Sequence, residues 1–135
     1  MTGADRPKPV PTPETEHFWQ GTLAGELRLQ RCSECRQSYF PPRPFCPRCS
    51  SRDVVVFKAS GKASLYSYVI NQRPVLGFTA PYAIAVVELE EGPRMMTNIV
   101  EVPQTPEALQ LDMLLEVVFE KLDDSVALPL FRPRR

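Results

Sequence analysis

Apolar and polar positions alternate along much of this chain, and a period of two is the signature of half-buried strands. Glu26-Leu-Arg-Leu-Gln-Arg31 alternates cleanly and predicts a strand leading into Cys32. Val54 to Phe57 is a β-branched and aromatic run that suits a pleated surface. Ala63 to Ile70 predicts a longer strand, with Tyr66, Tyr68 and Ile70 on one side and Leu65 and Val69 on the other. Tyr82 to Leu89 (YAIAVVEL) is nearly all apolar, the pattern of a strand covered on both faces. Residues 94–100, 115–120 and 128–131 complete the β-type segments. Residues 72–81, with two prolines and Gly77, predict a loop, Gly92-Pro93 a turn, and residues 103–111 one helical turn. Five strands after Gly61, spaced by roughly 10–20 residues, predict a small antiparallel barrel or sandwich.

One stretch departs from this pattern. Thr12 or Thr15 can cap a helix over residues 14–23, with Pro13 tolerated in its first turn and Phe18, Trp19 and Leu23 as its apolar side. Before it, Pro7, Pro9, Pro11 and Pro13 alternate with other residues, so residues 1–12 read as an extended, mobile arm. Fifteen prolines in 135 residues argue against long helices and for strands and turns. No apolar run approaches the ~20 residues of a bilayer span. The opening residues also lack the apolar centre of a secretory signal. The expectation is therefore a cytoplasmic protein with reduced thiols and no membrane contact.

All four cysteines fall in one segment, Cys32-x2-Cys35 and, ten residues on, Cys46-x2-Cys49. Two residues between ligands let a tight turn aim two thiolates at one point, and two such knuckles close a tetrahedron of sulfurs at ~2.3 Å around a zinc ion. Two disulfides or four unliganded thiols are the alternatives, and neither suits paired spacing in a reducing compartment. Tetrathiolate sites take zinc or a single iron, with zinc the expected ion. Four protein ligands leave no open position for water or substrate, so the expected role is structural.

Charge is uneven although the formal net is zero. Residues 1–30 carry three basic and four acidic side chains, residues 31–52 five and one, and residues 53–135 eight and eleven. The basic excess is confined to the cysteine segment. Its arginines, Arg43 and Arg48 among them, can contact a partner's acidic patch or a coenzyme A phosphate, or simply face solvent. A single-stranded nucleic-acid platform built on Tyr66, Tyr68 and Tyr82 is disfavoured, because the barrel segment is acidic and phosphate binding needs a basic surface. The one histidine, His17, reads as a surface or packing residue. With every thiol assigned to metal, and no nucleophile elbow or phosphate-binding glycine pattern, no active site can be composed.

Several motifs together resemble a known family that pairs a rubredoxin-like zinc ribbon with an OB-fold and is often encoded beside thiolase-like acyl-CoA enzymes. They are Phe18-Trp19, residues 25–32, residues 39–49, Gly61, Pro81-Tyr82, residues 87–92 and residues 128–133. Two departures occur: Ala63 replaces the second glycine of a family Gly-x-Gly, and Asp112 stands where glycine is frequent before Met113. The resemblance implies a mainly β protein: a helix and lead-in strand over 13–30, a ribbon over 31–52 bound to zinc by Cys32, Cys35, Cys46 and Cys49, and a five-stranded OB barrel over 53–135. It implies a non-catalytic accessory subunit of a thiolase or thiolase-like retro-aldolase acting on acyl-CoA, in lipid, including steroid side-chain, metabolism, with two copies of each chain. Phe18, Trp19, Arg43, Phe45, Arg48 and Phe78 are the candidate contacts with that partner or with CoA. A free-standing acyl-CoA or lipid binder is the rival reading.

Overall fold

A computed structural model describes residues 6–135. Helix α1 (Glu16–Leu23) precedes eight strands: β1 (Arg28–Cys32), β2 (Ser38–Tyr39), β3 (Val54–Lys58), β4 (Lys62–Asn71), β5 (Tyr82–Leu89), β6 (Arg94–Thr97), β7 (Leu114–Lys121) and β8 (Ala127–Pro133). They form a three-stranded sheet, β2-β1-β3, and a five-stranded sheet, β6-β5-β4-β7-β8. All named ladders are antiparallel. After β6 the chain turns back along the far edge, where Ile99 bridges Phe131 in parallel. The Val100 N–H donates to the Phe131 carbonyl (2.8 Å) and the Phe131 N–H to the Asn98 carbonyl (3.1 Å). These bonds satisfy backbone groups on the outer edges and bend the sheet toward closure.

The core runs through both sheets and the helix. Leu65, Ala83, Ala85, Val87, Leu115 and Phe131 of the barrel cluster with Phe18 of α1 and Leu27 and Leu29 beside or within β1. This shared core is why ribbon and barrel sit as neighbours with little chain between them. Burial of each such large side chain contributes ~1.5–3 kcal/mol.

Several expectations need correction. The helix starts at Glu16, after Pro13, and Thr15 occupies the cap position without capping it. Instead its hydroxyl accepts the N–H of Thr12 at 2.9 Å, which fixes the approach to the helix. Leu23, expected on the apolar side, is exposed, whereas Gly21 and Thr22 are buried. A Cβ at Gly21 would meet the Arg28 stem at 2.7 Å, so this turn can approach β1 only through a glycine.

Strand β3, assigned from sequence to the barrel, pairs with β1 along its whole length, from Arg28↔Lys58 to Cys32↔Val54. It is therefore a ribbon strand, and the ribbon sheet extends at both ends beyond residues 31–52. In β4 the expected parity breaks at Tyr66, where the register with β5 shifts between Leu65 and Ser67. One extra residue in a ladder turns every later side chain over. Tyr68 and Ile70 consequently pack on the core with Leu65, while Tyr66 and Val69 face out. Strand β5 buries Ala83, Ala85, Val87 and Leu89, but Ile84 and Val86 are only half-covered.

The arm expected over residues 1–12 falls partly outside the described residues. Within them, Arg6 is buried: its guanidinium donates to Glu120 (3.2 Å) and lies 4.8 Å from the Phe78 ring. Lys8 pairs with Asp123 at 3.5 Å. Residues 6–8 thus strap the β7–β8 end of the barrel to the β4–β5 loop.

Candidate metal centre

Two nearly identical turns build the centre. In the first, the Arg36 N–H donates to the Cys32 carbonyl (2.9 Å) and the Cys32 N–H to the Gln37 carbonyl (3.0 Å). In the second, the Ser50 N–H donates to the Cys46 carbonyl (2.9 Å) and the Cys46 N–H to the Ser51 carbonyl (2.8 Å). Arg36 and Ser50 close these turns in the left-handed region, with φ of 64° and 65°. The same turn used twice points four sulfurs inward. The N–H of Cys35 is directed at the Cys32 sulfur, and that of Arg48 at the Cys46 sulfur, each at 3.4 Å.

The four Sγ atoms lie within 4.8 Å of one another. Cys32 and Cys49 are 3.5 Å apart, and Cys35 and Cys46 3.6 Å. A tetrahedron with ~2.3 Å metal–sulfur bonds has edges of about 3.8 Å, so the spacing fits one tetrathiolate-bound ion. It is far too long for disulfides, whose sulfurs sit ~2.05 Å apart. The sulfurs share protons unequally. Cys32 is lowered to about 7, chiefly by the Cys35 N–H. For Cys49 the Ser51 N–H favours the thiolate, but the bond to Cys32 and burial outweigh it and push the thiol up to about 12. A dication held at this point would displace these protons, so all four sulfurs would ligate as thiolates.

A dication held by four thiolates carries a net charge of −2. The five arginines of residues 31–52, against the single acid Glu34, offset that charge. Arg31 lies over the Phe57 ring at 4.2 Å, and Arg48 donates to Gln37 at 3.3 Å. The loop between the knuckles is fixed from β1. The Gln30 side-chain oxygen accepts the Arg43 N–H at 2.6 Å, and the Tyr39 hydroxyl donates to the Arg43 carbonyl at 3.0 Å.

The remaining candidate contacts separate into different surroundings. Phe18 is only 3% exposed, packed edge-on against Trp19 at 5.0 Å and against Phe40 at 5.2 Å. Its ring belongs to the core, and it also lines an apolar groove beside Trp19. Trp19 is half-buried, Phe45 is exposed, and the Arg43 and Arg48 side chains are exposed. Phe78 is half-buried in the β4–β5 loop, stacked on Tyr82 at 4.8 Å.

An apolar groove of about 320 Å³ opens between α1, the Phe40-Pro41-Pro42 segment, β6 and β8. Trp19, Pro42, Met96 and Pro129 are among its walls. Met96, Thr97 and Asn98 also line the adjoining depression that contains Phe78 and Tyr82. Sequence reasoning missed Met96, although its outward position in a strand whose neighbours Met95 and Thr97 are buried is a period-two signal. His17 is half-buried, with its Nε2 lacking a hydrogen-bond partner among the described residues, and burial lowers its pKa.

The fold and centre define a zinc-ribbon type module joined to an OB-type barrel. Residues 19–55 match the family model described as ChsH2, rubredoxin-like zinc ribbon domain, and residues 58–120 that described as ChsH2, C-terminal OB-fold domain. A DUF35 domain-containing scaffold protein of Methanocaldococcus jannaschii is 37% identical over 70% of this chain and 67% of its own. The solved chain described as Ltp2-ChsH2(DUF35) aldolase superposes with a TM-score of 0.82 at 32% identity, covering 93% of this chain and 98% of that one. The protein belongs to this DUF35, ChsH2-type family. A probable enoyl-CoA hydratase alpha subunit of Thermomonospora curvata is 33% identical over 95% of this chain, which spans only 40% of that relative's length. The benzoylsuccinyl-CoA thiolase subunit BbsA of Thauera aromatica is 28% identical over 71% of this chain and 72% of its own.

Proposed function

We propose that this protein is a non-catalytic accessory subunit of a thiolase-type enzyme, a thiolase or a thiolase-like retro-aldolase, acting on acyl-CoA substrates in lipid, including steroid side-chain, metabolism. The observation that carries this reading is likeness along nearly the whole chain to a chain of the solved Ltp2-ChsH2(DUF35) aldolase. Likeness to a subunit of a benzoylsuccinyl-CoA thiolase supports the same class. The ion, taken as zinc, would have all four positions filled by Cys32, Cys35, Cys46 and Cys49, so its work is to hold the two knuckles of the ribbon together. Reaction chemistry belongs to the partner.

Trp19, Pro42 and Met96 around the apolar groove are the proposed anchors, since exposed apolar patches rimmed by polar side chains mark interaction sites. Arg43, Phe45 and Arg48 extend that surface onto the ribbon, and Phe78 extends it along the barrel. Two copies of each chain form the proposed assembly.

The test is co-purification of the tagged chain with a thiolase-like enzyme of the same cells. Recovery of that enzyme, reduced at least tenfold by Trp19→Ala with Met96→Glu while metal content is unchanged, supports the reading. Failure to recover it at low salt defeats the reading, as does thioester turnover by the isolated chain. Tight calorimetric binding of CoA esters to the isolated chain favours the free-standing binder instead.

A further inference from the structure

The two knuckles match in their backbone but differ in their surroundings. Cys32 and Cys46, the first cysteine of each pair, have no accessible surface, and each sulfur accepts a backbone N–H at 3.4 Å. Cys35 is half-buried within the turn that precedes β2. Cys49 alone is exposed, followed by the exposed Ser50 and Arg52 on the way into β3. A reagent from solvent therefore meets one ligand of the quartet before the other three. Burial denies an electrophile its line of approach to Cys32 and Cys46, whereas the Cys49 sulfur lies open to it.

We infer that Cys49 is the point at which the metal centre is chemically opened: its sulfur is modified first by electrophiles and peroxide, and Cys32, 3.5 Å away, completes the reaction by forming a Cys32–Cys49 disulfide that releases the ion. With hydrogen peroxide as oxidant, the Cys49 thiolate attacks one peroxide oxygen. The O–O bond breaks, hydroxide leaves, and sulfur is oxidised to the sulfenic acid. The Cys32 thiolate then attacks the Cys49 sulfur, forming the S–S bond and expelling a second hydroxide. Two thiolates have lost two electrons, peroxide has gained them, and the two hydroxides are neutralised by the acid form of the buffer. Only Cys35 and Cys46 remain as ligands, and two thiolates on opposite knuckles do not hold the ion against solvent. The geometry thus places an oxidant-sensitive release point in a centre that otherwise only fixes the fold.

The experiment uses the full-length, metal-loaded chain. Limiting N-ethylmaleimide is followed by trypsin, which cuts after Arg48 and so separates Cys46 from Cys49. Fragment spectra then resolve Cys32 from Cys35. At least fivefold more adduct on Cys49 than on any other cysteine is expected; equal labelling, or Cys35 first, overturns the inference. In parallel, hydrogen peroxide is added and metal release followed with a chromophoric chelator. One ion released per Cys32–Cys49 disulfide is expected, and a Cys35–Cys46 disulfide overturns the inference. Cys49→His keeps a fourth ligand without an oxidisable sulfur, and its peroxide-driven release should slow at least tenfold. Unchanged release from that variant refutes the proposal, and if the variant does not load, the wild-type labelling map decides.

Discussion

Replacing Gly61 by alanine separates two costs that the structure lays on one atom. Gly61 is buried between β3 and β4 with φ of +81°, and a Cβ there would stand 2.7 Å from Val117 Cγ1 on β7. The left-handed backbone costs a non-glycine residue ~1–2 kcal/mol. Forcing a methyl into a packed site adds ~1–3 kcal/mol, because the neighbour is held in place: the Val117 N–H donates to the Gly61 carbonyl at 2.8 Å. Gly61→Ala should therefore lower stability by about 2–5 kcal/mol. Val117→Ala alone removes half-buried methyl groups and should cost about 1 kcal/mol. In the double variant the clash is gone and only backbone strain and lost packing remain. The pair should thus be more stable than the sum of the single losses by about 1–3 kcal/mol. Urea unfolding of the metal-loaded proteins by circular dichroism, with the single Trp19 as a second probe of cooperativity, measures the cycle. A coupling smaller than ~0.5 kcal/mol would mean that Val117 moves freely and that backbone conformation alone explains the glycine.

Three further outcomes are expected. Phe18→Ala should cost ~3–5 kcal/mol as a buried aromatic deletion, whereas Trp19→Ala should cost less and act mainly on partner recovery; equal stability losses would contradict their assignment to core and groove. Cys46→Ser should reduce the bound metal well below one ion per chain by elemental analysis and lower the melting temperature, and full occupancy would remove the tetrathiolate reading. Asp123 is held at about 2 chiefly by the Ser125 hydroxyl, helped by the N–H groups of Ser125 and Val126 and by Lys8, against an ordinary 3.8. Its folded pKa is depressed, so its contribution is present above about pH 4 and fades as pH falls toward 2. The melting-temperature gap between wild type and Asp123→Asn should close across that window, and a gap constant with pH would sink the assignment.

The metal centre was the most legible feature, because ligand chemistry and spacing are both written locally. Two Cys-x2-Cys pairs need only two copies of one turn, and each copy closes with its own hydrogen bonds. What the sequence hid depends on distant partners. Nothing in Val54-Val-Val-Phe57 says whether it pairs with β1 or joins the barrel, since both sheets reward β-branched residues equally. The bulge at Tyr66 is equally silent, yet it reverses which tyrosine faces the core. Arg6 reads as part of a proline-rich arm, and only the fold supplies Glu120 and Phe78, more than 70 residues away, to bury it. Phe18 and Trp19 are adjacent aromatics of one helix, and only the position of β1 and Phe40 decides which turns inward.

Strand β5 shows how such a mismatch can itself inform. An apolar run with no polar alternation belongs to a strand with both faces covered. Here the inner face is sealed by the core, while Ile84 and Val86 remain half-covered, beside Val69 at 61% and Met96 at 72% exposure. The ladder aligns them: Val69 lies opposite Ile84, and Val86 opposite Met96. These side chains therefore form one continuous outer stripe, and Met96 carries it into the groove beside Trp19 and Pro42. A chain that folded only for itself would gain from polar residues at these positions. Their apolar character agrees with a surface covered in the assembly proposed above, and Val86→Lys offers a direct check. If the stripe is covered by the thiolase-like partner, this substitution should leave the melting temperature of the isolated chain within a few degrees and abolish co-purification. If it instead unfolds the chain, the outer face already belongs to the barrel's own packing, and the partner must be sought elsewhere on the surface.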